Sequence, residues 1–318
     1  MLRPSASTAG SIGIRLLDAP LAGRADPRAR IYIVDHLPPG TVIRRHVQIS
    51  NTTSTTAHVS VYSAAATISN GTFLGAAGRT ANDLSTWTSV SPGSLDLPAS
   101  RSATATVTVA VPSDAAPGER YGVVWAQVQS TRDASSGVTD VSRVGVRLYL
   151  SVGPGGAPAS NFSIDSLAAE RNASGQPVVV ASVRNTGGRA LDMSGYLRLA
   201  GGPGALSAGP FPANLGVTLG IDTTEPVAVV LDRQLPAGPW TAHITLHSGL
   251  VTRSASATIT FPAAGSAAAV PTSHSHRSSL PAFLAGLTGL ALACIVTWRV
   301  RRRSQRRRQR CLDAARVT

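Results

Sequence analysis

TATVTVAVP, residues 104–112, sets Ala105, Val107, Val109 and Val111 on one side of the chain and Thr104, Thr106 and Thr108 on the other. That period of two is the mark of a strand buried on one face. The same alternation recurs upstream and downstream, in RIYIV (30–34), TVIRRHVQIS (41–50), AHVSVYSAAATI (57–68), RYGVVWAQVQS (120–130) and RVGVRLYLSV (143–152). It resumes in PVVVASVRN (177–185), GYLRLA (195–200), EPVAVVLD (225–232), WTAHITLHS (240–248) and ASATITF (255–261). No amphipathic helical pattern of useful length precedes residue 280. Gly (30) and Pro (21) are abundant and aromatics are 4%, so turns are frequent and the cores must rest on Val, Ile, Leu and Ala. Many short strands separated by turn residues suggest β-sandwiches.

The chain repeats itself. VQISNTT (47–53) and ASVRNTG (181–187) each end an alternating run at an Asn-Thr pair, at Asn51 and Asn185, and a turn and a returning strand follow. Later in each half a Pro/Gly turn leads into an aromatic-headed strand, APGERYGVVWAQV (116–128) and LPAGPWTAHITL (235–246). The expected fold class is therefore all-β, with two tandem Ig-like β-sandwich domains followed by a single C-terminal transmembrane α-helix. Asn51 and Asn185 are assigned to turn chemistry, because Asn and Gly tolerate the left-handed conformations of tight turns.

The expected organisation is as follows. Residues 1–10 are a disordered N-terminus, residues 11–152 and 161–262 the two sandwiches, and GPGGAPAS (153–160) the linker between them. Residues 263–279 form a stalk with no core-forming residues. LPAFLAGLTGLALACIVTW, from Leu280 to Trp298, is uncharged and would span roughly 28 Å as a helix, close to a bilayer's hydrocarbon thickness. Residues 299–318 are a basic tail whose Arg299, Arg301, Arg302, Arg303, Arg306, Arg307, Arg308 and Arg310 would stop transfer and place the C-terminus in the cytoplasm. Ala285, Gly289 and Ala293 form a small-residue row through which two such helices could pair as a homodimer. The first 20 residues contain no apolar h-region, so the signal peptide that this topology requires is missing from the sequence, and the expectation is a misassigned start or a truncated chain.

Charge and cysteine usage narrow the function classes. The net charge is +13, but nine arginines against one aspartate follow Trp298, so the tail alone carries +8. A basic patch on a folded module, as nucleic-acid binding needs, is not indicated. The two cysteines, Cys294 and Cys311, leave the N-terminal part without a disulfide or a cysteine zinc site.

A search for chemistry yields no catalytic residues, no metal ligands and no cofactor. His243 and His247 are four apart, but in a strand that separates them by ~13 Å, too far for one metal. His274 and His276 lie in the stalk, and Asp35-His36 reads as a loop pair ahead of LPPG. No paired carboxylates, phosphate loop or nucleophile elbow stands out. Trp87, Tyr62 and Trp125 are the aromatics that could contact a ligand.

On these residues the first half resembles a known family. LPPG (37–40) opens a strand ending at Asn51, and a second strand runs through Ala64–Ala66 into TISNGTF with Asn70-Gly71 at the turn. Trp87 follows, then LDLPASRSATATVTVAVP, and APGERYGVVW brings Gly118 and Gly122. This ordered series resembles the N-terminal, peptidoglycan-binding domain of the WxL-interacting proteins of Gram-positive bacteria over roughly residues 12–150. The resemblance implies peptidoglycan binding by the first domain and a WxL-type surface protein as partner of the second.

The sequence thus predicts a non-enzymatic, single-pass cell-membrane protein with its N-terminal part outside. Its sandwiches would bind peptidoglycan or another wall polymer, a surface protein partner, or both. The alternative is an assembly or chaperone-like module that captures an exported protein by β-strand addition.

Overall fold

Each half of the chain folds as two sheets pressed on a shared apolar core. The structure is a computed structural model that describes residues 11–20, 23, 25–129, 139–213 and 216–273. The strands of the first half are β1 (Ile12–Leu16), β2 (Ile33–Leu37), β3 (Val42–Asn51), β4 (Ala57–Ser69), β5 (Thr72–Gly75), β6 (Thr88–Ser91), β7 (Ser94–Leu97), β8 (Ser102–Ala110), β9 (Gly118–Gln129) and β10 (Val141–Val152). One sheet has the order β1-β3-β8-β6; the other runs β2-β10-β9-β4-β5, with β7 paired to the start of β4. Val47, Ile49, Val107 and Val109 of the first sheet and Val59, Val124, Val146 and Leu148 of the second meet in one buried cluster. The threonines of β8 point away from it, which is what the alternation requires.

The second half supplies β11 (Phe162–Arg171), β12 (Pro177–Asn185), β13 (Leu191–Asp192), β14 (Ser194–Ala200), β15 (Ala208–Pro212), β16 (Thr218–Leu219), β17 (Thr224–Val230), β18 (Trp240–Ser248), β19 (Val251–Ile259), β20 (Gly265–Ser266) and β21 (Val270–Pro271). Its sheets are β17-β12-β11, extended by β20 and β21 on β11, and β15-β14-β18-β19, with β13 and β16 forming a small pair. Trp240, Phe162, Ile244, Leu246 and Val183 fill its core.

Three differences from the sequence reading have physical causes. Residues 265–273, expected in a stalk, fold back: β20 and β21 pair with β11, and Val270 packs on the core. They cover an edge that would otherwise leave ladder groups open. A short helix α1 (Asp83–Trp87), too brief to show a period, is set by a capping box between Asn82 and Ser85 and seats Leu84 in the core. Asp35 and His36 lie within β2, not in a loop; Asp35 is buried against Arg45 Nη2 at 2.7 Å.

The repeated asparagines also act differently from the expectation. Neither takes a left-handed conformation. Both are buried, at 1% (Asn51) and 0% (Asn185) exposure, and grip backbone on two sides. Asn51 Nδ2 donates to Thr55 O (2.8 Å), Leu97 O (2.9 Å) and Pro98 O (3.2 Å), and its Oδ1 accepts from Thr53 N. Asn185 Nδ2 donates to Arg189 O (2.8 Å) and Gly220 O (2.9 Å), with Leu219 O at 3.4 Å, and its Oδ1 accepts from Gly187 N. The asparagine N–H groups bond Arg101 O and Thr223 O in turn. The left-handed residues are Ser100 and Asp222, in the loops being gripped. The repeat is one side-chain staple built twice.

Among the described residues no helix is long and apolar enough to cross a membrane. The expected span at 280–298, the arginines of the tail and the Ala285, Gly289 and Ala293 row lie outside the described residues.

Candidate partner-binding edge

β10 is laddered to β9 along all twelve of its residues, but β2 pairs with its other side only from Leu148 to Val152. Residues 141–147 therefore border no strand on that side among the described residues. The direction of their backbone groups follows from the register. Val61 N and Ala65 N bond away from β9, to Gly93 O and Thr80 O, so Tyr62 and Ala64 face β9 and pair with Trp125 and Val123. Alternation then turns Val124 and Ala126 toward Val146 and Val144, and leaves Val141, Arg143, Gly145 and Arg147 pointing their N–H and C=O outward. Gly153 N, on the same parity, bonds Leu37 O of β2, which fixes the assignment.

Several other edges are blunted. β15 contains Pro210 and Pro212, β17 contains Pro226, β6 has four residues and meets Pro92, and β19 is bridged at Ser256 by Ser273. Proline and shortness are the usual ways of closing an edge. The open half of β10 has neither, and Val141 is 42% exposed.

The lower end of this edge runs into the joint between the sandwiches. There Phe73, Tyr121 and Tyr149 meet in tilted and edge-on contacts, Tyr32 packs on Tyr149, and Ala190 of the second sandwich packs among them. Arg147 lies 4.8 Å from the Phe73 ring centroid and 5.2 Å from that of Tyr32. Its Nη1 donates to Asp192 Oδ1 at 2.9 Å, and Tyr149 OH and Thr218 Oγ1 donate to the same oxygen, each at 2.9 Å. Burial opposes the Arg147 charge, but Tyr149, Tyr32 and Asp192 outweigh it and hold its pKa above the ordinary value. Burial first, then Asp192, pushes the Tyr149 hydroxyl up. Glu119 Oε2 crosses the joint to accept Ala190 N at 2.6 Å and also takes the Tyr121 hydroxyl; burial raises its pKa against both bonds. The β4–β5 hairpin closes the joint from another side: Asn70 and Gly71 both have positive φ, as a type I′ turn requires, and Gly71 O accepts Thr218 N at 2.8 Å.

The aromatics singled out in the sequence separate. Tyr62 and Trp125 are cross-strand partners on the outer face of the β4–β9 pair, in a small cluster with Ala64 and Val123. Tyr62 is buried and donates to Gln127 Oε1 at 2.5 Å, under the Arg79 guanidinium. Trp125 is half-buried, and its indole N–H donates to Ala76 O at 2.9 Å. Trp87 belongs elsewhere: it ends α1, packs on the first core and lies under Arg120 at 4.9 Å. Trp125 lies across Gly145, where a β-carbon would come within 2.7 Å of Trp125 Cε3 and of Val123 Cγ2. Gly145→Ala is therefore expected to destabilise the chain by about 1–3 kcal/mol through overpacking. It should also shift the Trp125 fluorescence; an unchanged midpoint and spectrum would show the ring is free to move.

Sequence reasoning missed Arg147 and Asp192. Their signal was the run Leu148-Tyr149-Leu150-Ser151-Val152, all buried, which breaks the alternation because that end of β10 is covered on both faces. His243 is exposed while Ile244 and Leu246 are buried, and among the described residues no group of His, Cys, Asp and Glu could hold a metal.

No family model matches the chain, and no curated protein matches it by sequence. Solved structures of similar layout include chaperones and chaperone–subunit complexes. A chain of the Salmonella enterica SafA pilin–SafB chaperone complex covers 78% of this chain and 97% of its own length at 10% identity and TM-score 0.40. The E. coli chaperone DraB covers 76% and 93% at 10% identity and TM-score 0.36. The class 5 fimbriae chaperone CfaA covers 79% and 100% at 12% identity and TM-score 0.34. At that distance the likeness is one of all-β layout only. The expectation of a single-pass cell-membrane protein that binds the cell wall is corrected here. Among the described residues no helix is long and apolar enough to cross a membrane, and the similar structures are named as chaperones.

Proposed function

We propose that this chain is a non-enzymatic binding module that captures an extended segment of a protein partner by strand addition along residues 141–147 of β10. The observation that carries the reading is the outward-directed, unblunted backbone of Val141, Arg143, Gly145 and Arg147 on a strand otherwise fully laddered. Main-chain bonds to such an edge supply affinity, and side chains on alternate positions supply selectivity. The stacked aromatics and the Arg147–Asp192 pair hold the base of the edge rigid, so it is presented without an ordering cost.

Arg143→Pro tests the reading. It removes one outward N–H and places the ring where a partner strand would lie, while the bonds of Ser142 and Val144 to β9 stay intact. Affinity capture with the full chain is expected to retain a partner that Arg143→Pro loses and Arg143→Ala keeps. Hydrogen exchange should then show Arg143 and Gly145 amides protected in the complex. A partner retained by a folded Arg143→Pro chain would sink the proposal.

A further inference from the structure

A cavity of about 270 Å³ lies at the joint, lined by Arg28, Asp26, Pro158, Ser160, Arg189 and Ser248, among others. It draws on a 3₁₀ turn of the first sandwich (Pro27–Arg30), the linker, and the second sandwich. Its wall is rich in donors and poor in acceptors. Arg28 is 6% exposed and Ser248 1% exposed. Arg28 Nη1 donates to Ala190 O and its Nη2 to Asp26 Oδ2, but Arg28 Nε, Arg189 Nε and Ser248 Oγ are buried with no partner among the described residues. Asp26, the one carboxylate of the wall, already accepts from Arg28 N and Nη2 with its two oxygens. Of the neighbouring acids, which do not line the cavity, Asp35 bonds Arg45 through Oδ1 and leaves its Oδ2 buried without a partner among the described residues, and Glu119 Oε2 takes Ala190 N and Tyr121 OH.

Buried donors left unmet cost free energy, and two guanidiniums facing one cavity cost more. The group that satisfies them brings several acceptor oxygens and negative charge. From this geometry we infer that the cavity is a binding site for a phosphoryl group, either free phosphate or a small phosphate ester. Guanidinium forks match phosphate oxygens, and donors arriving from both sandwiches suit a group with three free oxygens. Bound there, the group would bridge Arg28 of the first sandwich to Arg189 and Ser248 of the second and so stiffen the joint. The inference is independent of the β10 edge.

The test is calorimetric titration and thermal unfolding of the full chain with inorganic phosphate, with glycerol 1-phosphate, and with chloride at matched ionic strength. Saturable binding and a raised midpoint are expected for one or both phosphates and not for chloride. Tighter inorganic phosphate identifies the free ion, and tighter glycerol 1-phosphate the ester. Arg189→Gln removes a guanidinium whose buried Nε has no partner among the described residues, so it should stay folded and weaken binding about ten-fold or more, as loss of a charged hydrogen bond does. Ser248→Ala should leave the unliganded midpoint unchanged or higher while weakening binding. Equal responses to chloride and phosphate, or unaltered affinity in a folded Arg189→Gln chain, would overturn the site.

Discussion

Asn185→Ala is expected to lower the unfolding free energy by about 3–5 kcal/mol, and Asn51→Ala by a similar amount. Each asparagine is fully buried, and its amide closes the carbonyls of two separate loops: Arg189 with Gly220 in one case, Thr55 with Leu97 in the other. Truncation leaves those carbonyls and one backbone N–H without partners in a place water does not reach. Each such orphan costs about 1–3 kcal/mol, and relaxation recovers part of it. The isosteric Asn185→Asp separates hydrogen bonding from packing. It keeps the shape but turns a donor facing carbonyls into an acceptor, so at neutral pH it should be at least as damaging as alanine. Urea unfolding followed by far-ultraviolet circular dichroism checks both. A loss under 1 kcal/mol for Asn185→Ala would mean the loops are held by other contacts.

Asp192→Ala is the second large effect expected, about 2–4 kcal/mol. One carboxylate oxygen collects Arg147, Tyr149 and Thr218, so its removal strands a partly buried guanidinium beside Phe73 and Tyr32. The figure sits below that for a fully buried pair because the two side chains remain 26% and 17% exposed. Arg147 and Tyr149 come from the first sandwich and Asp192 and Thr218 from the second, so the loss falls on their coupling. The wild-type chain is expected to unfold in one transition and the variant in a broader or two-step one. Asp192→Asn, which keeps an acceptor without charge, should recover part of the loss. A single unshifted transition in Asp192→Ala would show that the apolar contacts around Ala190 suffice for the joint.

Much of the fold was legible because strand burial writes itself into composition every second residue. Val107 and Val109 are buried and Thr106 and Thr108 are not, as the alternation of β8 states. The candidate site was less so. An open edge is a property of what is missing beside a strand, and nothing in the residues Val141–Arg147 says that β2 will stop at Leu148. Arg147 and Asp192 are 45 residues apart, and Asp192 sits in a two-residue strand without any pattern. The staples were half visible: Asn51 and Asn185 stood out, but Leu97-Pro98 and Leu219-Gly220, whose carbonyls they hold, did not.

By itself the sequence determined an all-β chain with a repeated strand-and-asparagine plan, because local periodicity and turn residues are set by neighbours along the chain. The tertiary structure decided which edge stayed open, how residues 265–273 returned to β11, and which charges met at the joint. Those outcomes depend on contacts between segments far apart in sequence. Their energies come from pairing and desolvation across space, and no stretch of residues read alone encodes them.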